Sequence, residues 1–238
     1  MRNTVAVMQR ELAACFFSPI AYVTGFLFLL ATGLYFILVT LAPGGEASLR
    51  PLFQAMSVVL VFVLPLLTMR TLSEELSSGT VETLMTAPVT ETQVIVGKFL
   101  GVLIFYIAIL ATTLLYLLLI IRHSTPEAGL VIFGYLGMIL LGALYIAVGM
   151  FTSALTRHQL LAAVLAASIL AALTLLADEI GPLLPDVWRL ILGQVNIFEH
   201  FEEFAKGIFD SAALIYFVSV TAFFLFLAAR TLESKRWR

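Results

Sequence analysis

Residue types that commonly do chemistry are sparse in this sequence of 238 residues. The three histidines lie in different segments, at His123, His158 and His200. His200 has a carboxylate three residues away, at Glu203, and His123 has one four residues away, at Glu127. A single histidine–carboxylate pair of this kind is a weak signal for a metal site. Ser168 lies within a long apolar run, without a neighbouring base that could activate it. We therefore expect no metal site and no catalytic residues, so the chain is not predicted to be an enzyme.

A nucleotide site is not expected either. Gly97-Lys98 is followed by Phe99 and lacks the upstream glycine of a phosphate-binding P-loop. The single cysteine, Cys15, excludes an intramolecular disulfide and a multi-cysteine metal site. The net charge of −2 gives no indication of a nucleic-acid partner. We expect no cofactor in this chain.

The most distinctive polar stretch is Arg70–Lys98, which separates two long hydrophobic segments. It carries four carboxylates and two bases, namely Glu74, Glu75, Glu82, Glu91, Arg70 and Lys98. Two interpretations remain open at this point. The stretch is either a structured connection to which another protein binds, or an ordinary polar loop.

The composition places these residues in a membrane protein. The chain is 61% hydrophobic and 12% charged, and its mean hydropathy is +1.07. Soluble domains are about 45–50% apolar and about 25% charged. We predict an all-α integral membrane protein that forms one domain over residues 1–238. About 20 apolar residues suffice for a helix to cross the bilayer, and six segments qualify: Ile20–Leu41, Leu52–Met69, Val94–Ile121, Leu130–Leu155, Leu160–Ala177 and Ala212–Ala229.

Residues 1–18 are too polar for a span and have apolar residues at helical spacing, which predicts an amphipathic helix in the membrane interface. Ser18-Pro19 should then break this helix before the first span.

The distribution of basic residues predicts the orientation of the six spans. With the N-terminus in the cytoplasm, the inner segments hold nine of the thirteen bases: Arg2, Arg10, Arg70, Lys98, Arg157, Arg230, Lys235, Arg236 and Arg238. Positively charged loops stay in the cytoplasm. Both termini and residues 70–98 are therefore predicted to be cytoplasmic, and residues 178–210 to be extracytoplasmic.

Within the cytoplasmic connection, span 2 is predicted to continue as a helix to about Ser78 and to stop at Gly79. Thr80 can cap a short helix with Glu82 in its first turn, and Pro88 ends that helix. Val81, Leu84 and Met85 form its apolar side. A capping box at residues 90–93 then starts span 3 at Glu91.

The extracytoplasmic segment 178–210 contains aromatic residues and carboxylates at helical spacing. A first short helix is predicted over residues 187–195. A second is predicted with acidic residues opposite an apolar face that consists of Phe198, Phe201, Phe204 and Ile208. The alternative is a solvated loop with surface carboxylates.

With these residues placed, the sequence resembles the ABC-2-type permeases, the membrane subunits of ATP-binding-cassette transporters. Three stretches carry the resemblance: Arg10–Val23, Met69–Gly101 and Glu199–Phe217. The second contains Met-Arg, paired acids, Gly-Thr, Glu-x-Leu, Thr-x-Pro and Gly-Lys in the order typical of the family. The closest resemblance is to the gliding-motility branch.

This resemblance implies roles for the segments described above. Residues 1–18 would be the elbow helix, with Arg10, Glu11, Ser18 and Pro19 as its key residues. Thr80–Thr86 would be the coupling helix, seated in a cleft of a cytoplasmic ATPase that binds ATP and Mg. The coupling residues would be Glu74, Glu75, Gly79, Thr80, Glu82, Leu84, Met85, Thr86 and Pro88.

The resemblance also implies assembly and location. The complete transporter would contain two ATPase subunits and a second permease subunit, which is either an identical chain or a sister chain. It would lie in the lipid of the bacterial inner membrane and work as an exporter. The alternatives are an ATPase-driven scaffold or mechanotransmission subunit that moves no substrate, and an integral membrane enzyme.

Overall fold

The computed structural model describes residues 2–40, 48–79, 90–121, 127–176 and 196–236. Throughout these ranges the regular structure is helical, without strands. The helices are α1 (Arg2–Phe17), α2 (Pro19–Tyr35), α3 (Arg50–Thr68), α4 (Arg70–Ser78), α5 (Glu91–Thr112), α6 (Leu114–Ile121), α7 (Ala128–Leu155), α8 (Gln159–Ala171), α9 (Ile197–Ala205) and α10 (Ser211–Arg236). Single π-helical segments, Phe36–Thr40 and Ala172–Leu176, extend α2 and α8.

Five helical stretches in the described part of the chain are long and apolar enough to cross a membrane. They are Pro19–Thr40, Arg50–Ser78, Glu91–Ile121, Ala128–Leu155 and Ser211–Lys235. The remaining predicted span coincides with a shorter apolar helix, Gln159–Thr174. The all-helical membrane architecture is thus confirmed, whereas the count of six spans stays a prediction.

Helix α7 lies at the centre of the bundle, and its glycines let neighbouring side chains approach its backbone. The ring of Phe53 on α3 lies against Gly134, and the ring of Tyr106 on α5 lies against Gly142. A methyl group built on either glycine would lie 2.2 Å from a ring carbon. The Tyr106 hydroxyl also donates to the carbonyl of Met138, at 2.8 Å. These contacts hold α3 and α5 on two sides of α7.

Polar contacts define one end of the bundle, which we call the α4 end. Ser153 of α7 accepts hydrogen bonds from the backbone amides of Leu72 and Ser73 on α4, at 3.1 and 3.0 Å. Lys235, near the end of α10, donates to the carbonyls of Ala154 and Leu155. Helix α10 therefore ends on the same side of the bundle as α4.

At the opposite end, which we call the α9 end, α9 packs across the bundle. Its Phe204 lies against Gly137 of α7, and Phe201 is fully buried beside it. This helix confirms the apolar face predicted in the second half of segment 178–210 for Phe201 and Phe204. Ile208, predicted on the same face, lies beyond the end of α9 and is exposed. The first predicted helix of that segment, over residues 187–195, lies outside the described residues.

Candidate functional site

The candidate site lies at the α4 end, where two helices flank the predicted coupling segment. Helix α4 ends at Gly79, whose φ of 72° is the left-handed conformation that glycine adopts without strain. Helix α5 begins with the predicted capping box. The Thr90 hydroxyl accepts from the Gln93 amide, and the Gln93 side chain accepts from the Thr90 amide, both at 3.4 Å. The continuation of span 2 to Ser78, the stop at Gly79 and the capping box are confirmed.

The predicted coupling helix itself lies outside the described residues. This applies to six of the predicted coupling residues: Thr80, Glu82, Leu84, Met85, Thr86 and Pro88. Their roles remain predictions.

Below these helix ends lies a buried ion cluster, the Lys98 cluster, formed by Lys98, Glu11, Glu75 and the carbonyl of Thr71. The ammonium of Lys98 is 2.9 Å from Glu11 Oε2, 3.0 Å from Glu75 Oε1 and 2.8 Å from the Thr71 carbonyl oxygen. A lysine ammonium has three donors, and three acceptors surround this one. The Lys98 side chain is 5% exposed, and the two carboxylate side chains are 14–15% exposed.

The Lys98 cluster joins three helices that are distant in sequence. Glu11 comes from α1, Glu75 from α4 and Lys98 from α5. The two helices that flank residues 80–89 are therefore tied to each other and to the N-terminal helix. Such a buried pair costs desolvation free energy, and removing one partner leaves an uncompensated charge.

Helix α1 reaches this cluster because α5 presents two glycines to it. A methyl group built on Gly97 would lie 2.8 Å from the Thr4 carbonyl oxygen, and one on Gly101 would lie 2.9 Å from the Met8 carbonyl oxygen. Residues without a side chain at a four-residue spacing allow close helix approach in membranes. This role of Gly97 and Gly101 was not predicted from the sequence, although their four-residue spacing is a signal for close helix packing.

The paired carboxylates predicted as coupling residues face different environments. Glu75 points into the Lys98 cluster, whereas Glu74 is exposed and forms two hydrogen bonds with the Arg70 guanidinium, at 2.9 and 3.0 Å. The same guanidinium donates from Nη1 to the Ser18 hydroxyl, at 3.2 Å. Contact of either carboxylate with an ATPase stays a prediction.

The predicted elbow residues also separate into different surroundings. Helix α1 ends at Phe17 and α2 begins at Pro19, which confirms the break at Ser18-Pro19. Glu11 belongs to the Lys98 cluster, and Arg10 is exposed on the same helix. The position of α1 in a membrane interface remains a prediction.

A pocket of about 370 Å³ opens beside the Lys98 cluster, between α1, the start of α2 and α4. Its wall includes Arg10, Ser18, Arg70 and Lys98, and Cys15 belongs to its apolar part. Burial, followed by repulsion from Glu11, raises the pKa of the Cys15 thiol to about 12. That thiol is therefore a poor nucleophile in the folded protein.

Residues of the types that bind metals do not form a cluster in the part of the chain that the structure describes. No group of three or more His, Cys, Asp or Glu residues there could hold a metal ion. What the site offers instead is a buried ionic connection between helices.

Comparison with known proteins agrees with this architecture. A family model described as ABC-2 family transporter protein matches residues 7–232, which is nearly the whole chain. The comparison with curated proteins gives no match. The matched range includes the Lys98 cluster, four of the five long apolar helices in full, α9, and all but the last residues of the fifth long helix, Ser211–Lys235. The chain therefore belongs to the ABC-2 family of transporter proteins, the membrane permeases of ABC transporters.

Proposed function

We propose that this chain is the permease subunit of an ABC exporter and that a separate cytoplasmic ATPase drives it through residues 79–90. The observation that carries the proposal is the Lys98 cluster. Because Lys98 of α5 pairs with Glu75 of α4 and Glu11 of α1, a force applied to the segment between α4 and α5 reaches three helices at once.

The burial of the cluster suits this role. Ion pairs that are shielded from water are screened far less by salt than exposed pairs. The backbone contacts of α1 with Gly97 and Gly101 add a steric constraint on the same three helices. A displacement of α4 relative to α5 would therefore have to move α1 as well.

The catalytic work belongs to the partner in this proposal. The ATPase would bind ATP and Mg and change its dimeric state, while Leu84 and Met85 anchor the coupling helix Thr80–Thr86 in its cleft. Glu74, exposed beside Arg70, is available to a partner at the α4 end. Glu75 would act indirectly, by holding Lys98.

Assembly and location form part of the same proposal. A second permease subunit, identical or a sister chain, would complete the translocation path in the bacterial inner membrane. The excess of basic residues supports a cytoplasmic α4 end. The finish of α10 at that end supports a cytoplasmic C-terminus. The resemblance of the three stretches named above supports a further proposal, that the chain belongs to the gliding-motility branch.

The test is co-purification from the native host in mild detergent, followed by mass spectrometry. We expect a stoichiometric soluble protein with P-loop motifs. Replacing Leu84 and Met85 with Asp should remove that protein from the preparation, since an apolar anchor would then carry two charges. The control variant, Leu84→Ile with Met85→Leu, should retain it.

Two results would contradict the proposal. One is a preparation without any ATPase. The other is retention of the ATPase at wild-type yield by the Leu84→Asp/Met85→Asp variant. ATPase activity that no transported compound stimulates would favour the alternative of a scaffold or mechanotransmission subunit.

A further inference from the structure

We propose that the pocket between α1 and α4 binds the phosphodiester headgroup of an anionic phospholipid. This inference concerns a lipid site and does not depend on the direction of transport or on the identity of the ATPase. It rests on the depth of the pocket in the bundle, on the state of its charged groups and on its apolar floor.

The pocket lies where the chain passes from a polar helix to an apolar one. Helix α1 precedes the candidate spans, and α2 begins the first of them at Pro19. Ser18, at the junction, is part of the pocket wall. Phe17 and Tyr22, on either side of this junction, are 87% and 60% exposed. Tyrosine is enriched at the headgroup level of a bilayer, so the exposure of Tyr22 supports a pocket mouth near the depth of lipid phosphates.

The charged groups of the pocket are paired unequally. Its wall contains three cations and three carboxylates, namely Arg10, Arg70, Lys98, Glu11, Glu74 and Glu75. Lys98 is saturated by Glu11, Glu75 and a carbonyl. Glu74 is held by two nitrogens of Arg70. The carboxylates that line the pocket are thus already engaged with cations.

Arg10 is the exception. It is exposed on the pocket rim and forms no ion pair with any residue that the structure describes. Arg70 Nη1 and the Ser18 hydroxyl, which bond to each other at 3.2 Å, lie in the same wall. A guanidinium binds phosphate oxygens through two parallel hydrogen bonds. These three groups offer the donors that a phosphodiester requires.

The remainder of the pocket suits the glycerol end of a lipid. The apolar part of its wall includes Cys15, Ala21 and Leu67, all buried. A volume of about 370 Å³ lies within the range of small-ligand sites, about 300–1,000 Å³. A lipid bound here would contact both α1 and α4.

The test uses the full chain in detergent and native mass spectrometry with three added probes. These are phosphatidylglycerol, phosphatidylcholine and inorganic phosphate. We expect one molecule of phosphatidylglycerol to bind per chain, with a higher affinity than phosphatidylcholine. Arg10→Gln should weaken that first binding event about fivefold or more, because a charge-assisted contact is lost.

Matched variants distinguish lipid binding in this pocket from non-specific attraction of the lipid to positive charge. Arg157→Gln removes an exposed charge outside the pocket wall and should leave the first binding event unchanged. Ala14→Trp keeps every charge but fills the pocket, since Ala14 is an exposed wall residue, and should weaken binding as Arg10→Gln does. Size-exclusion profiles establish that each variant is folded.

Three results would overturn the proposal. Equal losses in Arg10→Gln and Arg157→Gln would indicate non-specific attraction. Unchanged binding in both Arg10→Gln and Ala14→Trp would show that the lipid binds elsewhere. Displacement of phosphatidylglycerol by inorganic phosphate at comparable concentration would indicate a site for free anions instead of a lipid site.

Discussion

The two ends of the bundle use the same kind of interaction in opposite environments. At the α4 end, Lys98 pairs with Glu11 and Glu75, and all three side chains are at most 15% exposed. At the α9 end, Arg50 pairs with Glu202 at 3.0 Å, and their side chains are 44% and 38% exposed. Lys206 adds two further pairs there, with Glu202 and Glu203.

This difference in exposure predicts a difference in function. Exposed pairs are screened by water and salt, and each contributes about 0–1 kcal/mol. A buried pair contributes little net stability when formed, yet breaking it by removal of one partner costs about 3–5 kcal/mol. The α4 end therefore has one tightly held arrangement of three helices, whereas the ionic contacts at the α9 end can exchange partners at low cost.

The largest effect is expected from Lys98→Met. This variant leaves two carboxylates buried without their cation, and we expect it to lower the free energy of unfolding by about 3–5 kcal/mol. Thermal unfolding followed by size exclusion in detergent measures the loss. The triple variant Lys98→Met/Glu11→Gln/Glu75→Gln removes the buried charges together and should recover most of it. If Lys98→Met melts like the wild-type protein, the cluster does not hold the helices as described.

A smaller effect is expected from Gly101→Val. The added side chain would overlap the backbone of α1, where a methyl group alone would lie 2.9 Å from the Met8 carbonyl oxygen. Overpacking of this kind costs about 1–3 kcal/mol, and we expect α1 to separate from α5.

The Cys15 thiol reports on that separation. It is buried in the folded protein and its pKa is about 12, so maleimide should modify it slowly. Modification should become faster in Gly101→Val. The control is Gly25→Ala on α2, where the new methyl group would meet Ile109 at 3.4 Å, an ordinary contact. Equal modification rates in the two variants would argue against close packing of α1 at Gly101.

The smallest effect is expected from Arg50→Gln at the α9 end. Glu202 keeps Lys206 as a partner at 3.1 Å, and the side chains of Arg50 and Glu202 are both in contact with solvent. We expect the free energy of unfolding to fall by less than about 1 kcal/mol. The same thermal assay applies. A loss as large as that of Lys98→Met would abolish the contrast between the two ends.

Local features were predictable because their causes lie within a few residues. The end of α4 at Gly79 follows from the backbone freedom of glycine, and the start of α5 follows from a side chain and an amide three residues apart. The long apolar helices follow from composition alone. The fifth predicted span, Leu160–Ala177, does not meet the same length criterion within the described residues, because its helix, Gln159–Thr174, is shorter.

The pairing at the site was not predictable in this way. Lys98 and Glu11 are 87 residues apart and belong to separate predicted segments, the coupling connection and the elbow helix. Glu74 and Glu75 are adjacent and chemically equivalent, so nothing local distinguishes the exposed carboxylate from the buried one. Their orientation depends on where α1 and α5 pack around α4.

Apolar segment length and helix-capping residues act locally, so they predict a helical membrane protein with a polar segment between two apolar helices. The burial of Glu11, Glu75 and Lys98 in one cluster depends on how distant helices pack. Gly97 and Gly101 carry no side chains, and α1 can therefore approach α5 closely enough to bring the three charges together.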